Sequence, residues 1–259
     1  MKTDCPAWAP PLLAIQFLTR IPVPTVLNRL SPEAAAIGLG RAVAWYPFVG
    51  AVIGAITAAT LLLTEHLWPR IVAVLLALVV EARITGAFHE DAVADFCDGV
   101  GGGRDPAHAR QIMKDSRIGA FGALGLLFAL ALRVTLLYSL DDATAAFAII
   151  AAATFGRLFT VIVMITIAPA PGTSGLASHV TSAIRGRDVV LACLISVAGV
   201  LPFALIAQMA ALFAALAAAL FLIWFRSLLI RRVGGTTGDC LGFAAYAGQL
   251  IVLLAATAR

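Results

Sequence analysis

The chain has 259 residues, 61% of them hydrophobic and only 12% charged, with a mean hydropathy of +0.99. A water-soluble domain carries about 25% charged residues, so this composition excludes one and predicts an all-α, polytopic membrane helix bundle, read as a single domain over residues 1–259. The net charge of +4 comes with no basic, aromatic-interleaved patch, which speaks against a nucleic-acid partner, and the four cysteines form no CxxC pair that would suggest a disulfide framework or a thiolate metal site. The partner that composition names is the lipid bilayer.

In chain order, the first element is a short apolar stretch at residues 12–18, bracketed by Pro10, Pro11, Pro22 and Pro24; it is too brief to span and is placed at the membrane interface. About seven transmembrane helices follow, each near the length of about 20 apolar residues that a bilayer requires. They lie at roughly 42–63, 71–88, 119–140, 143–168, 189–208, 210–230 and 241–258, the fifth and sixth abutting. Small residues at Gly50 and Gly54, at Gly119 to Gly125, and along residues 210–220 favour close helix packing.

The second span closes on an acidic run, His89-Glu90-Asp91-Ala92-Val93-Ala94-Asp95-Phe96-Cys97-Asp98. On a helix Asp91, Asp95 and Asp98 fall within an arc of roughly 60°. Three like charges at the edge of a low-dielectric medium repel one another, and a hard cation such as magnesium, which prefers oxygen ligands, is the simplest compensation. His89 projects to the opposite side, as a structural histidine would, and Glu90 lies about 100° away and reaches water.

Glycine-rich connections supply the remaining polar chemistry. After Asp98 come Gly99, Gly101, Gly102 and Gly103, then Arg104, Asp105 and Pro106. This pattern reads as a turn whose Gly101 and Gly102 let backbone amides approach an anion, with Pro106 starting a helix. Arg104, Lys114 and Arg117, beside Asp115 and Ser116, form a diphosphate clamp. A second element, Gly234-Gly235-Thr236-Thr237-Gly238-Asp239-Cys240-Leu241-Gly242, precedes the last span; it lacks the lysine of a Walker loop and so does not imply nucleotide hydrolysis. Arg157, inside the fourth span, requires a partner, either Glu81 or a substrate phosphate.

Positive residues orient the bundle. With seven spans, twelve basic residues, Lys2 and Arg29 among them, fall on one side, against Arg70 and Arg259 on the other, while Arg83, Arg133, Arg157 and Arg226 lie within spans. The positive-inside rule then predicts a cytoplasmic N-terminus, an outer C-terminus, and both glycine-rich elements on the cytoplasmic face of the cell inner membrane.

Four motifs, Phe17-Leu18-Thr19-Arg20-Ile21-Pro22-Val23-Pro24, the acidic run through Gly99, Ile112-Met113-Lys114-Asp115-Ser116-Arg117-Ile118-Gly119, and residues 235–242, together resemble the signatures of the cobalamin synthase family, the adenosylcobinamide-GDP ribazoletransferases. The resemblance covers essentially the whole chain. It implies a magnesium-dependent phosphotransferase that passes the adenosylcobinamide-phosphoryl group of adenosylcobinamide-GDP to α-ribazole or its 5′-phosphate, releasing GMP. On this resemblance Asp91, Asp95 and Asp98 hold Mg2+. Asp239 completes the metal shell or takes the attacking hydroxyl's proton, and Lys114 and Arg117 neutralise the leaving group together with Arg104. Gly101, Gly102, Ser116, Gly235, Thr236, Thr237 and Gly238 contact substrate.

Three positions depart from the family pattern. Ala92 stands where a glycine is usual, Glu90 replaces a leucine-like residue, and no glutamate occurs around Tyr246 and Gln249. Two other functions fit the motifs less well. A CDP-alcohol phosphotransferase of lipid synthesis requires a second aspartate pattern that is missing after Asp98, and a cation transporter would carry its acids near the bilayer midplane. Homo-oligomerisation is compatible with the sequence but not specified by it.

Overall fold

A computed structural model describes residues 5–25, 27, 30–172, 180, 181 and 183–258; Lys2, Arg29 and Arg259 of the charge count lie outside the described residues. Eleven α-helices with both ends among the described residues run in the order α1 Ala9–Leu18, α2 Pro32–Ala42, α3 Tyr46–Glu65, α4 Arg70–Thr85, α5 Phe88–Gly102, α6 Pro106–Met113, α7 Ala120–Ser139, α8 Asp142–Thr166, α9 Gly186–Ile206, α10 Gln208–Arg232 and α11 Gly238–Thr257. Among the described residues there is no strand, only an isolated bridge between Pro169 and Thr236. Polar side chains at the N-termini mark where helices begin: Ser31, Asp105, Asp141 and Thr237 accept from the amides of Ala34, His108, Thr144 and Cys240 and cap α2, α6, α8 and α11.

Among the described residues six helical stretches, the first running from α2 through α3 (Pro32–Glu65), are long and apolar enough to cross a membrane, or seven if α4 and α5 are counted as one span bent by 87°. The spans expected from residue 119 onward match α7 to α11 to within a few residues, and the abutting pair is separated only by the non-helical Ala207. The second span differs from expectation. Its helix ends at Thr85, Gly86 and Ala87 both take left-handed backbone angles (φ +69° and +55°), and the acidic run becomes a separate helix turned across the end of α4. A left-handed alanine costs about 1–2 kcal/mol, and apolar periodicity carries no sign of it.

Helix α8 lies at the centre. Its Ala151, Ala152 and Ala153 are buried, and the backbone of α3 at Gly50 and Gly54 approaches α8 so closely that a methyl group at Gly50 would meet the carbonyl oxygen of Ala153. The alanine-rich start of α10 packs through its small residues as expected, Ala214 and Ala218 buried and Ala210 and Ala211 partly buried against the core, while Leu212, Leu216 and Leu220 on the other faces are exposed. The stretch at α1 packs Ala9, Leu13, Ala14 and Leu18 into the main hydrophobic core. All four cysteines are free.

The two ends of the bundle are chemically distinct. At one, Arg70 pairs with Glu65 and Asp142, and Ser139, Ala207 and Thr257 meet around a shared recess. At the other, Arg232 donates to the carbonyl oxygens of Val100 (2.7 Å) and Gly103 (3.2 Å), and Arg110 donates to that of Val233. These arginines join the α5–α6 connection to the α10–α11 connection, so both glycine-rich elements occupy the same end.

Candidate active site

Helix α5 presents its three aspartates in graded environments: Asp91 is exposed, Asp95 half-buried and Asp98 buried. Asp98 is committed to structure. Its two oxygens accept from the amides of Gly119 (2.6 Å) and Gly122 (2.8 Å), so it caps α7 from a neighbouring helix. Gly119 and Gly122 leave room for the carboxylate, a methyl on either lying within 2.4 Å of an Asp98 oxygen, and Gly122 and Gly125 also let α7 approach α5 closely, at the Ala94 carbonyl oxygen and Cys97. Asp98→Asn is expected to lower stability by about 1–3 kcal/mol by leaving an amide unpaired, measured as thermal unfolding in detergent. An unchanged melting point with altered magnesium dependence would instead give Asp98 a metal role.

Asp91 and Asp95, one turn apart, line a cavity of about 680 Å³. The end of α1 contributes Gln16, Thr19 and Arg20 to its wall, the α4–α5 break contributes Gly86, and the segment before α7 contributes Ser116. Asp95 is close enough to feel the charges of Asp91, Asp239 and Asp98, and Asp239, in the first turn of α11, feels those of Asp91 and Lys114. Four carboxylates from two helices thus lie within electrostatic reach of one another at this end, with Lys114 near Asp239; of them Asp91 and Asp95 line the cavity.

No group of three or more His, Cys, Asp or Glu side chains among the described residues is placed to hold a metal ion. Magnesium does not require such a group. It keeps several waters and takes one or two carboxylates plus substrate phosphate oxygens, a donor set that Asp91 and Asp95 fit.

The other expected site residues divide. Lys114 ends α6 and is exposed, as is Ser116 on the cavity wall. Arg117 is turned to Asp115, donating from Nε to Oδ1 at 3.0 Å, and its side chain is 86% exposed. The hydrogen bond from Arg117 holds the Asp115 carboxyl down at about 2, so Asp115 orients Arg117. Arg104 is exposed outside the cavity, its amide donating to His108 Nδ1.

Neither glycine-rich element is the open anion nest that its sequence suggested. Helix α5 continues through Gly102, so the amides of Gly101 and Gly102 point along a helix, and Gly101 packs against the Phe121 ring. In the second element the amides of Gly234 and Gly235 donate to the carbonyl oxygen of Leu229, and that of Thr236 to Ala168. Gly235 has φ +144°, and a methyl there would lie 2.7 Å from the Ala168 oxygen, so only glycine closes this turn. Thr237 caps α11, and Gly238 faces a smaller recess beside His89 and Arg157.

Behind the cavity lies a buried charge network. Arg133 pairs with Glu81 at 2.7 Å, the two side chains 4% and 3% exposed, and Arg133 also donates to Gln249 Oε1 at 3.1 Å. Arg133, not Arg157, is therefore the partner of Glu81. Arg157 is buried with Nε and Nη2 unpaired. Glu90 does not simply reach water; Oε1 lies 3.9 Å from Arg133, and the residue also lines the cavity. Since Arg133 stacks over Tyr246 and bonds Gln249, Glu90 brings from α5 an acidic contact to the region where α11 has none. His89 is buried against Phe88, as a structural histidine is.

Sequence reasoning recorded Arg20 only as part of a motif. The available signal was its position in Phe17-Leu18-Thr19-Arg20, but nothing local indicates that α1 folds against the α4–α5 break.

Comparison with known proteins agrees with these motifs. The family model described as cobalamin-5-phosphate synthase matches residues 10–257. A Vibrio cholerae protein named adenosylcobinamide-GDP ribazoletransferase is 35% identical over 247 residues, 94% of this chain and 91% of its own. Proteins of that name from Leptothrix cholodnii (36% over 249 residues, 93% and 92%) and Ralstonia pickettii (35% over 249, 95% and 94%) are similar to the same extent. No solved structure matches the chain. With a family model spanning nearly all its residues and relatives aligned almost end to end, the chain belongs to the cobalamin-5-phosphate synthase family.

Proposed function

We propose that this membrane protein transfers the adenosylcobinamide-phosphoryl group of adenosylcobinamide-GDP to α-ribazole or its 5′-phosphate in the last steps of cobalamin biosynthesis. The observation that carries the proposal is the placement of Asp91 and Asp95 on the wall of a cavity able to admit a diphosphate, with Asp239 and Lys114 within electrostatic reach though not on that wall. A ribose hydroxyl of the acceptor attacks the phosphorus nearer the corrinoid, the phosphoanhydride bond breaks, and GMP departs. Asp239 accepts the hydroxyl proton, and Lys114 neutralises charge growing on the leaving phosphate. Asp91 and Asp95 would hold Mg2+, which supplies charge neutralisation on the phosphate oxygens. Arg117, turned outward to Asp115, meets the nucleotide only if that pair opens.

The excess of basic residues at this end supports a cytoplasmic site by the positive-inside rule, in a bundle we assign to the inner membrane. Purified protein in lipid nanodiscs, given adenosylcobinamide-GDP, α-ribazole and magnesium, is expected to release one GMP per corrinoid product. Absence of GMP with all three present, or release of CMP from a CDP-linked lipid instead, would overturn the proposal.

A further inference from the structure

Arg20 follows directly on α1, and several contacts fix its place. Its amide donates to the carbonyl oxygen of Ile84 at 2.6 Å, fastening this segment to the last turn of α4. The side chain lies over Gly86, where a methyl group would come within 2.5 Å of Nε. Gly86 also has φ +69°, so at this position one residue both reverses the chain and leaves room for the guanidinium. From there Arg20 lines the same cavity as Asp91 and Asp95.

Three other arginines at this end are already engaged: Arg110 with Val233, Arg232 with Val100 and Gly103, and Arg117 with Asp115, while Arg104 lies outside the cavity. None of the ion pairs among the described residues includes Arg20. The cavity is thus bipolar, with carboxylates contributed by α5 and an exposed cation, lying over Gly86, contributed by the segment after α1. A diphosphate ester, whose nonbridging oxygens accept in-plane bonds from a guanidinium, matches that cation.

We infer that Arg20, seated on Gly86, is a phosphate subsite that grips nonbridging oxygens of the donor's diphosphate. The inference rests on the proposed reaction and assigns Arg20 to the donor, not to the acceptor.

Steady-state kinetics and GDP–magnesium binding on the full chain in nanodiscs test it. Arg20→Gln is expected to raise the KM for adenosylcobinamide-GDP and weaken GDP binding by about tenfold or more, the effect of losing a charged hydrogen bond, with the KM for α-ribazole unchanged. Arg20→Lys is expected to recover part of the loss, and Gly86→Ala to reproduce the donor-selective defect. The inference is overturned by an unchanged donor KM in Arg20→Gln, or by an equal loss for both substrates that lysine does not rescue, which marks a structural role. Wild-type turnover with an indifferent Arg20→Gln sinks the subsite and leaves the reaction standing. Arg20-dependent GDP binding without any GMP release does the reverse.

Discussion

Asp95→Asn reduces GMP release by about 10²–10³-fold, the scale on which a group that stabilises transition-state charge acts, while the protein accumulates in the membrane as wild type does. The two halves of this expectation have separate causes. Asp95 carries no hydrogen bond among those described, in contrast to Asp98, so the fold makes no use of its charge. It stands among Asp91, Asp239 and Asp98, and removing one like charge relieves repulsion. The variant is therefore expected to melt no lower than wild type, a stable and inactive protein, as is common when a strained functional residue is replaced. Near-normal turnover at saturating magnesium would remove Asp95 from the site.

The largest expected effect on stability belongs to Arg133. Arg133→Ala leaves Glu81, 3% exposed, with only the Thr57 hydroxyl at 3.0 Å as a side-chain partner, and strips Glu90 of its neighbouring cation. Breaking a buried pair on one side costs about 3–5 kcal/mol, read as the shift of the unfolding midpoint in a detergent titration. Replacing both partners, Glu81→Leu with Arg133→Leu, is expected to recover part of the loss because the pair leaves together, while Arg157 and Glu90 keep their charges. A loss below about 1 kcal/mol for Arg133→Ala, the range of an exposed pair, would show that the network is solvated rather than buried. The pair ties α4 to α7 on either side of the break that sets the direction of α5. Loosening it is expected to lower turnover as well.

The sequence revealed much of this in proportion to how local the cause was. Apolar runs located α7 to α11 because a span of lipid imposes its own length, and the helical spacing of Asp91, Asp95 and Asp98 put them on one helix, as found. What was hidden depends on contacts between distant segments. The left-handed pair at Gly86 and Ala87 turns a single expected span into two helices, and Asp98 finds its partners more than twenty residues away, at Gly119 and Gly122. Glycine content suggested open loops at 99–103 and 234–238, yet the first is helical through Gly102 and the second donates its amides to α8 and α10 neighbours. Gly235 is glycine for clearance against Ala168, a reason composition does not distinguish from anion binding. The pairing of Arg133 with Glu81 was equally hidden, since four arginines lay within apparent spans and spacing alone does not choose among them.

That the cavity walled by α1, α5 and the segment before α7 receives the substrate is tested most directly by labelling a cysteine placed in it. Ser116 is exposed on that wall, so Ser116→Cys, in a chain with the exposed Cys193 changed to serine, is expected to react readily with a soluble maleimide. The account predicts that adenosylcobinamide-GDP with magnesium slows this reaction by tenfold or more at saturation, roughly the occupancy expected well above Kd, while a cysteine at Thr257, at the opposite end, is unaffected. Labelling of Ser116→Cys at an unchanged rate under conditions where GMP is being released would contradict it.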